Sequence, residues 1–505
     1  MRKWILITPF VVHCLAAQSG LISGPLVVSE KWPECTSLET WTQDVMRLER
    51  LEHASETAQA KAFFVWLRLF SRMATGGMIQ AYEGDDGQEK YVTDAHKNLF
   101  VYGWGYCDTT SRIAEAAWTE FKHDPKSAER VVLQHDDGGY HTLYRLRLDG
   151  HYGAFDPRYG YYVVDRDAPD ARILDWEEVH ANLLKNRGYR YRSTPFFEYF
   201  GVEWERAQLI KPAYYPSEQA WTDAGSPRET VFGNRQYVPG TRFHSMDFQL
   251  LPGMTIERHW DNGGRKFYVP TGKHTQQEEK FLPSGRFYRV TETMLDGNWV
   301  KYDPNYQRAK PYLSSVPRDE GYDRDVSGGR TIGQAWGKIT YKPDAAALAK
   351  GLINIYSPYV LVDGIVDADV EIRTLRGKAQ NEDEPDHWSE WTPARAGALK
   401  QVRGVYQFQV RGAGGKLKPL KLELSFENGI MSIPQIFAGT NQIHFKVRDA
   451  SAIVHPVRIA YRYQTAGGEQ TAAHTLAPAD FHGNTASYEI NAPGLTRCDS
   501  LTIAY

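Results

Sequence analysis

Apolar residues recur at helical spacing in the stretch TAQAKAFFVWLRLFSRM, residues 57–73. Ala60, Phe63, Phe64, Leu67 and Phe70 line one stripe, and Gly76-Gly77 ends the pattern. A second helix is predicted over 107–121 (CDTTSRIAEAAWTEF), opened by Asp108, Thr109 and Thr110 and closed before Pro125. The pattern then turns to strands over 131–133, 142–148 and 153–155. Asp149-Gly150 between the last two is a hairpin signal. A further helix is expected over 173–184 (ILDWEEVHANLL). The first 210 residues therefore read as α+β.

From Pro212 the character changes. Short alternating segments at 242–250, 255–260, 266–269, 287–292 and 299–302 are separated by Pro, Gly, Asp and Asn, which predicts an all-β region. The Ala-rich 344–352 is a short helix or a linker. Beyond it, strand residues at 359–366, 405–410, 420–426, 443–447, 457–463 and 488–490 predict a β-sandwich. The expected organisation is a leader at 1–17, an α+β unit at 30–210, a β-rich middle unit at 211–345 and a C-terminal β-sandwich at 346–505. There is no long repeat and no coiled-coil heptad.

The leader is read from Arg2 and Lys3, which precede an apolar run from Trp4 to Ala17 with small residues at its end, the pattern of a secretory signal peptide. Cys14 invites a lipid anchor, but His13 stands where lipid attachment wants a small residue. No later run reaches the roughly 18 apolar residues of a spanning helix. The expectation is a secreted or periplasmic protein without a transmembrane segment.

With 505 residues the chain is long enough for about three domains. Its 59 Lys+Arg and 62 Asp+Glu nearly cancel, so no global field draws it to nucleic acid. Thirty Tyr and 14 Trp suit β-domains and surfaces that stack on sugars or peptides. Four Cys are present; once Cys14 leaves with the leader, Cys35, Cys107 and Cys498 remain. Cys35 with Cys498 is one possible disulfide, which leaves Cys107 as the odd thiol.

Candidate chemistry concentrates in NLFVYGWGYCDTTS, residues 98–111. Gly103 and Gly105 flank Trp104, and Cys107 stands where a helix begins. A helix N-terminus offers unpaired N–H groups and roughly half a positive charge, both of which favour a thiolate. The same groups suit an oxyanion after attack on a carbonyl. Asp108 works against this if its carboxylate faces the sulfur. Trp104 and Tyr106 are candidates for lining the acyl site. A nucleophilic thiol needs a base, and His141 opens a strand 34 residues on. The base needs an orienting acceptor, and Asp156 lies 15 residues further. Reflection about the turn at 149.5 pairs 141 with 158 and 143 with 156. His141 and Asp156 are thereby near neighbours, with the shared face left open by register.

This stretch resembles the transglutaminase-like superfamily, whose core has a Cys at a helix N-terminus followed by His and Asp on successive strands. The resemblance runs from about Thr57 to Asp156 through the preceding helix, YGWGYC, YHTLYRL and DGHYGAFDP. It implies a papain-like fold with Cys107 as nucleophile, His141 as base and Asp156 as orienter, and no cofactor or metal. Leu143 departs from the aromatic that these enzymes commonly carry two residues after the His. The region after Gly201 resembles, more vaguely, β-rich accessory segments of exported bacterial proteins with such a core. Activities in the superfamily range over crosslinking, peptide hydrolysis and deglycosylation, and include inactive members, so fold alone does not choose.

Rival readings accompany each residue. His135 is an alternative base, and His151 reads as structural or exposed. A zinc site built on Cys107, His141, Asp156 and His135 lacks any close ligand pair. RHWDN (258–262), FHSMDF (243–248) and WVKYDPNY (299–306) read as strand-to-turn punctuation or as a glycan site. HWSEW (387–391) reads as core packing or as a stacking platform. Two functions follow. One is an exported cysteine-dependent acyl-transfer enzyme acting on an amide or peptide bond of a peptide, protein or glycoconjugate, with hydrolysis preferred over crosslinking. The other is a carbohydrate-directed or glycan-active protein whose core is non-catalytic.

Overall fold

The computed structural model describes residues 21–30, 32–73, 82–83, 90–92, 94–105, 107–134, 140–157, 161–165, 171–178, 190–193, 229–232, 244–259, 266–268, 287–289, 334–376, 387–429, 436 and 439–505. The expected leader and the segment 299–306 lie outside them.

Three helices build the N-terminal part. α1 (Leu38–Glu49) is opened by Ser37, whose Oγ accepts the Thr40 amide at 3.0 Å, and closed by Arg50 in the left-handed region. α2 (Glu56–Phe70) is opened by Ser55 and realises the apolar stripe at 60, 63, 64, 67 and 70. α3 (Cys107–Lys122) begins at the expected residue. Their apolar faces interlock through aromatics. Trp41 meets Phe63 at 5.9 Å, and Phe63 meets Trp118 at 5.3 Å, both edge to face. Each such pair adds about 0.5–1.5 kcal/mol beyond its buried area. The helix expected at 173–184 is helical at 176–178, and its remainder lies outside the described residues.

The helices pack on an antiparallel six-stranded sheet, ordered Arg190–Ser193, Tyr161–Val164, His151–Asp156, Tyr140–Leu148, Ala128–Gln134 and Glu229–Phe232. Asp149 and Gly150 make its central turn at φ 50 and 90, the two positive values that a tight two-residue hairpin needs. The turn also docks on α2. The Asp149 carboxylate accepts the amides of Glu56 and Thr57, each at 3.3 Å, and the Thr57 hydroxyl at 2.9 Å. Glu56 returns a bond to the Asp149 amide at 2.7 Å. One residue thus closes the hairpin and caps a helix. On the sheet face beneath α2, Phe64 packs on Phe155 and Tyr144, whose rings stack at 5.4 Å.

The rest of the described chain is strand-rich, as the alternation predicted, but the pairing crosses the boundary expected at residue 345. Met254–His259 lies between Gln334–Tyr341 and Leu495–Ala504, and Gln334–Tyr341 pairs in turn with Leu422–Gly429. Strands from both expected β units therefore share one large antiparallel sheet. Alternation shows that a strand exists; it carries no information about its distant partner. A separate sheet joins Ile22–Ser29 to Asn441–Val447. Ala345–Ala349 is a short helix opened by Asp344.

Cys35, Cys107 and Cys498 are buried and none of them is in a disulfide, which corrects the disulfide suggested for Cys35 and Cys498. Cys35 Sγ lies 3.4 Å from the Pro33 carbonyl, whereas Cys498 sits in the final strand with its sulfur near the Arg462 and Ser500 carbonyls. Counting cysteines pairs them by parity alone and ignores where the sheets carry them.

Candidate active site

The approach to Cys107 is a tight piece of backbone. Lys97–Tyr102 forms a π-helical turn, a form often found at functional sites. Gly103 ends it at φ 70, in the left-handed region, and donates its amide to the Asn98 carbonyl at 2.9 Å. Trp104–Gly105 then pairs in parallel with Arg72–Met73, and α3 starts two residues later. Cys107 is the first residue of α3 and is 7% exposed. Its helix is held from two sides. Ser71 and Thr110 share a hydroxyl–hydroxyl bond of 2.9 Å, and Ser111 Oγ donates to the Thr142 carbonyl at 3.4 Å. Ser111 lies one helical turn after Cys107, and Thr142 is the neighbour of His141.

The hairpin has the register that the turn predicts. Tyr144 opposes Phe155 and Leu148 opposes His151, so the ladder is a reflection about 149.5. Continued one step beyond its last pair, Tyr144–Phe155, the same reflection would set Asp156 opposite Leu143, two positions from His141. His141, Leu143 and Asp156 therefore share strand parity, with His141 diagonal to Asp156. Such diagonal neighbours lie about 7–8 Å apart, within reach of long side chains. Asp156 is 2% exposed and Leu143 is fully buried. On the other side of its strand, His141 pairs with Leu133.

The opposite parity belongs to the helices. Arg130 and Tyr144 are cross-strand partners; Arg130 bonds to Glu115 of α3, and Tyr144 packs on Phe64 of α2. The helices thus pack on the parity of Tyr144 and Phe155, opposite to that of positions 141, 143 and 156, and the described hairpin pairing stops at Phe155. The side chains of His141 and Trp104, the whole of Tyr106 and the loop bearing His135 lie outside the described residues. The Cys107 sulfur-to-imidazole and imidazole-to-Asp156 distances fall there too.

The electrostatics around the helix start were only partly legible. Asp108 is gripped by Arg112 at 3.0 Å and Arg130 at 3.2 Å, and Arg130 also bonds Glu115 at 2.7 Å. Burial pushes the Glu115 carboxyl up from its ordinary range, against the pull of Arg130. The Asp108–Arg112 pair is readable as an i,i+4 spacing, whereas Arg130 and Glu115 carried no local signal.

The described residues of the rival clusters make contacts within the protein. His244 of FHSMDF is half-buried, donates Nε2–H to the Pro358 carbonyl at 2.7 Å, and sets its ring against Tyr406 at 4.6 Å. His259 of RHWDN stacks on Trp336 at 4.2 Å. In HWSEW, Arg373 lies between Trp388 and Trp391 at 5.0 and 4.8 Å, and Arg411 covers Trp391 at 4.2 Å. Those indole faces are engaged by the protein's own guanidinium groups. His151 is half-buried beside the turn, at the far end of the hairpin from Asp156. Among the described residues no group of three His, Cys, Asp or Glu side chains is placed to hold a metal ion, and no helix is long and apolar enough to cross a membrane.

No family model matches the chain, and no curated protein matches it.

Proposed function

We propose that the chain is an exported cysteine-dependent acyl-transfer enzyme with a transglutaminase-like core, acting on an amide or peptide bond. The observation that carries this reading is the start of α3 at Cys107 beside the strand of His141, with His141 and Asp156 at positions of one parity that is opposite to the parity facing the helices. The anchor from Ser111 to Thr142 supports it by bringing the first turns of α3 to the strand of His141.

In this reading the Cys107 thiolate attacks the amide carbonyl carbon. A C–S bond forms, and the carbonyl π electrons move to oxygen beside the N–H groups of the α3 start. His141, held in one tautomer by Asp156, delivers its proton to the amine nitrogen as the C–N bond breaks. The acyl-thioester is then attacked by water, whose proton passes to His141, and the thiolate leaves. Water outside the cell is the default acceptor, so hydrolysis is preferred over crosslinking. Peptides, proteins and glycoconjugates are the substrate class.

The test is peptide-resolved alkylation of the folded chain with iodoacetamide, together with turnover of an activated acyl probe. Cys107 is expected to be modified at neutral pH, and Cys107→Ala to abolish acyl transfer. A folded protein that leaves Cys107 unmodified at neutral pH contradicts the proposal.

A further inference from the structure

Arg130 stands on the strand Ala128–Gln134 and is 2% exposed. It spans two turns of α3, bonding Glu115 at 2.7 Å and Asp108 at 3.2 Å. Residues seven apart on a helix share a face, so one guanidinium reaches both carboxylates. Arg112 takes the other Asp108 oxygen at 3.0 Å. The quartet holds two carboxylates and two guanidiniums, and its formal charges cancel. Asp108 directly follows Cys107, where a free carboxylate would oppose a thiolate and offset the positive end of the helix. A buried ion pair contributes little net stability, because desolvation consumes most of its attraction. The placement of this one is better explained by what it neutralises.

We infer that Arg130 is a positioning residue for the Cys107 site: it cancels the Asp108 carboxylate and fixes the turn of α3 that carries the sulfur. The inference rests on Cys107 being the nucleophile proposed above. It predicts that releasing Asp108 suppresses the thiolate, and that neutralising Asp108 restores it. Among the described residues, the charged groups bonded together at the helix start are Asp108, Arg112 and Glu115 of α3 and Arg130 of the sheet.

The experiment follows the pH dependence of Cys107 alkylation by iodoacetamide in the full chain, resolved by peptide mass spectrometry. Glu115→Gln/Arg130→Gln removes the buried pair together, leaving no lone buried charge. Its alkylation midpoint is expected to rise by about one pH unit. Adding Asp108→Asn is expected to return the midpoint to the wild-type position, which a merely structural role for Arg130 would not do. Arg130→Lys, which keeps the buried charge but cannot span both carboxylates, is a second variant with a rise in the same direction and the same rescue. An unchanged midpoint in either folded variant, or a rise that Asp108→Asn does not reverse, overturns the inference. If wild-type Cys107 is itself inert at neutral pH, it is the nucleophile reading that fails.

Discussion

Ser111 Oγ donates to the Thr142 carbonyl at 3.4 Å, and this bond ties the turn after Cys107 to the residue after His141. The tie is buried and joins a helix to a strand 31 residues away. Ser111→Ala removes the donor and leaves a buried carbonyl one partner short, at a cost of about 1–3 kcal/mol. Acyl transfer is expected to fall more steeply than stability, because small displacements of a nucleophile are expensive. Parallel thermal melts and turnover of the acyl probe separate the two. A loss of activity no larger than the melt explains would mean that the bond only holds the fold.

Asp149 closes the hairpin at positive φ and caps α2. Asp149→Ala loses the cap and places alanine in the left-handed region; Asp149→Gly loses the cap alone. We expect alanine to cost about 1–2 kcal/mol and glycine less, since it adopts this φ freely. Urea denaturation of both variants gives the order, and a glycine variant less stable than the alanine variant would contradict it.

His244 is held neutral. Burial pushes its imidazole well below the ordinary range, and the nearby Lys97 adds to the effect. The amide of His244 also donates to Asp94 at 3.4 Å, and the Lys97 ammonium lies 4.5 Å from the Tyr406 ring centre. Because the folded pKa is depressed, the unfolded chain binds the extra proton. Stability is full above about pH 6.5 and is lost as pH falls toward the folded value. His244→Gln should lower stability at pH 8 but flatten the decline between pH 6.5 and 5. Melting curves at these pH values check the slope.

Asp175 has the opposite sign. Arg145 faces three carboxylates, Glu129 at 2.8 Å, Asp175 at 3.0 Å and Glu177 at 3.2 Å. One cation cannot balance them. Burial, and then the hydrogen bond shared with Glu177, pushes the Asp175 carboxyl up to about 7. The folded state therefore keeps a proton that the unfolded chain has released above about pH 4. The contribution is full in acid and is lost as pH rises through about 7. Asp175→Asn is expected to stabilise the protein at pH 8 relative to pH 5. Urea midpoints at the two pH values test it, and an unchanged difference refutes the shared proton.

Local chemistry made several elements legible in advance. Asp149-Gly150 admits one tight turn, and that turn sets the register that pairs Tyr144 with Phe155. Apolar spacing delivered α2 and α3, with Cys107 at the start of the latter. α1 and the strand Ile22–Ser29 were missed. The strand lies directly beside the expected leader. The order of Cys107, His141 and Asp156 along helix and strands was readable; the face that each strand position takes was not, because parity has meaning only once a helix lies on one side of the sheet.

What the sequence determined by itself was therefore what neighbours along the chain decide: helix starts, strand alternation, and one hairpin with its register. Tertiary structure decided which distant groups meet. Ser23 bonds the carbonyl of Lys446, 423 residues away. Middle and C-terminal strands merge in one sheet, Cys35 and Cys498 are buried without a disulfide, and Arg130 closes on Asp108 and Glu115. The reason is physical. Alternating apolar residues bury equally well against any matching partner, so the choice among partners falls to packing and charge pairing summed over the whole chain.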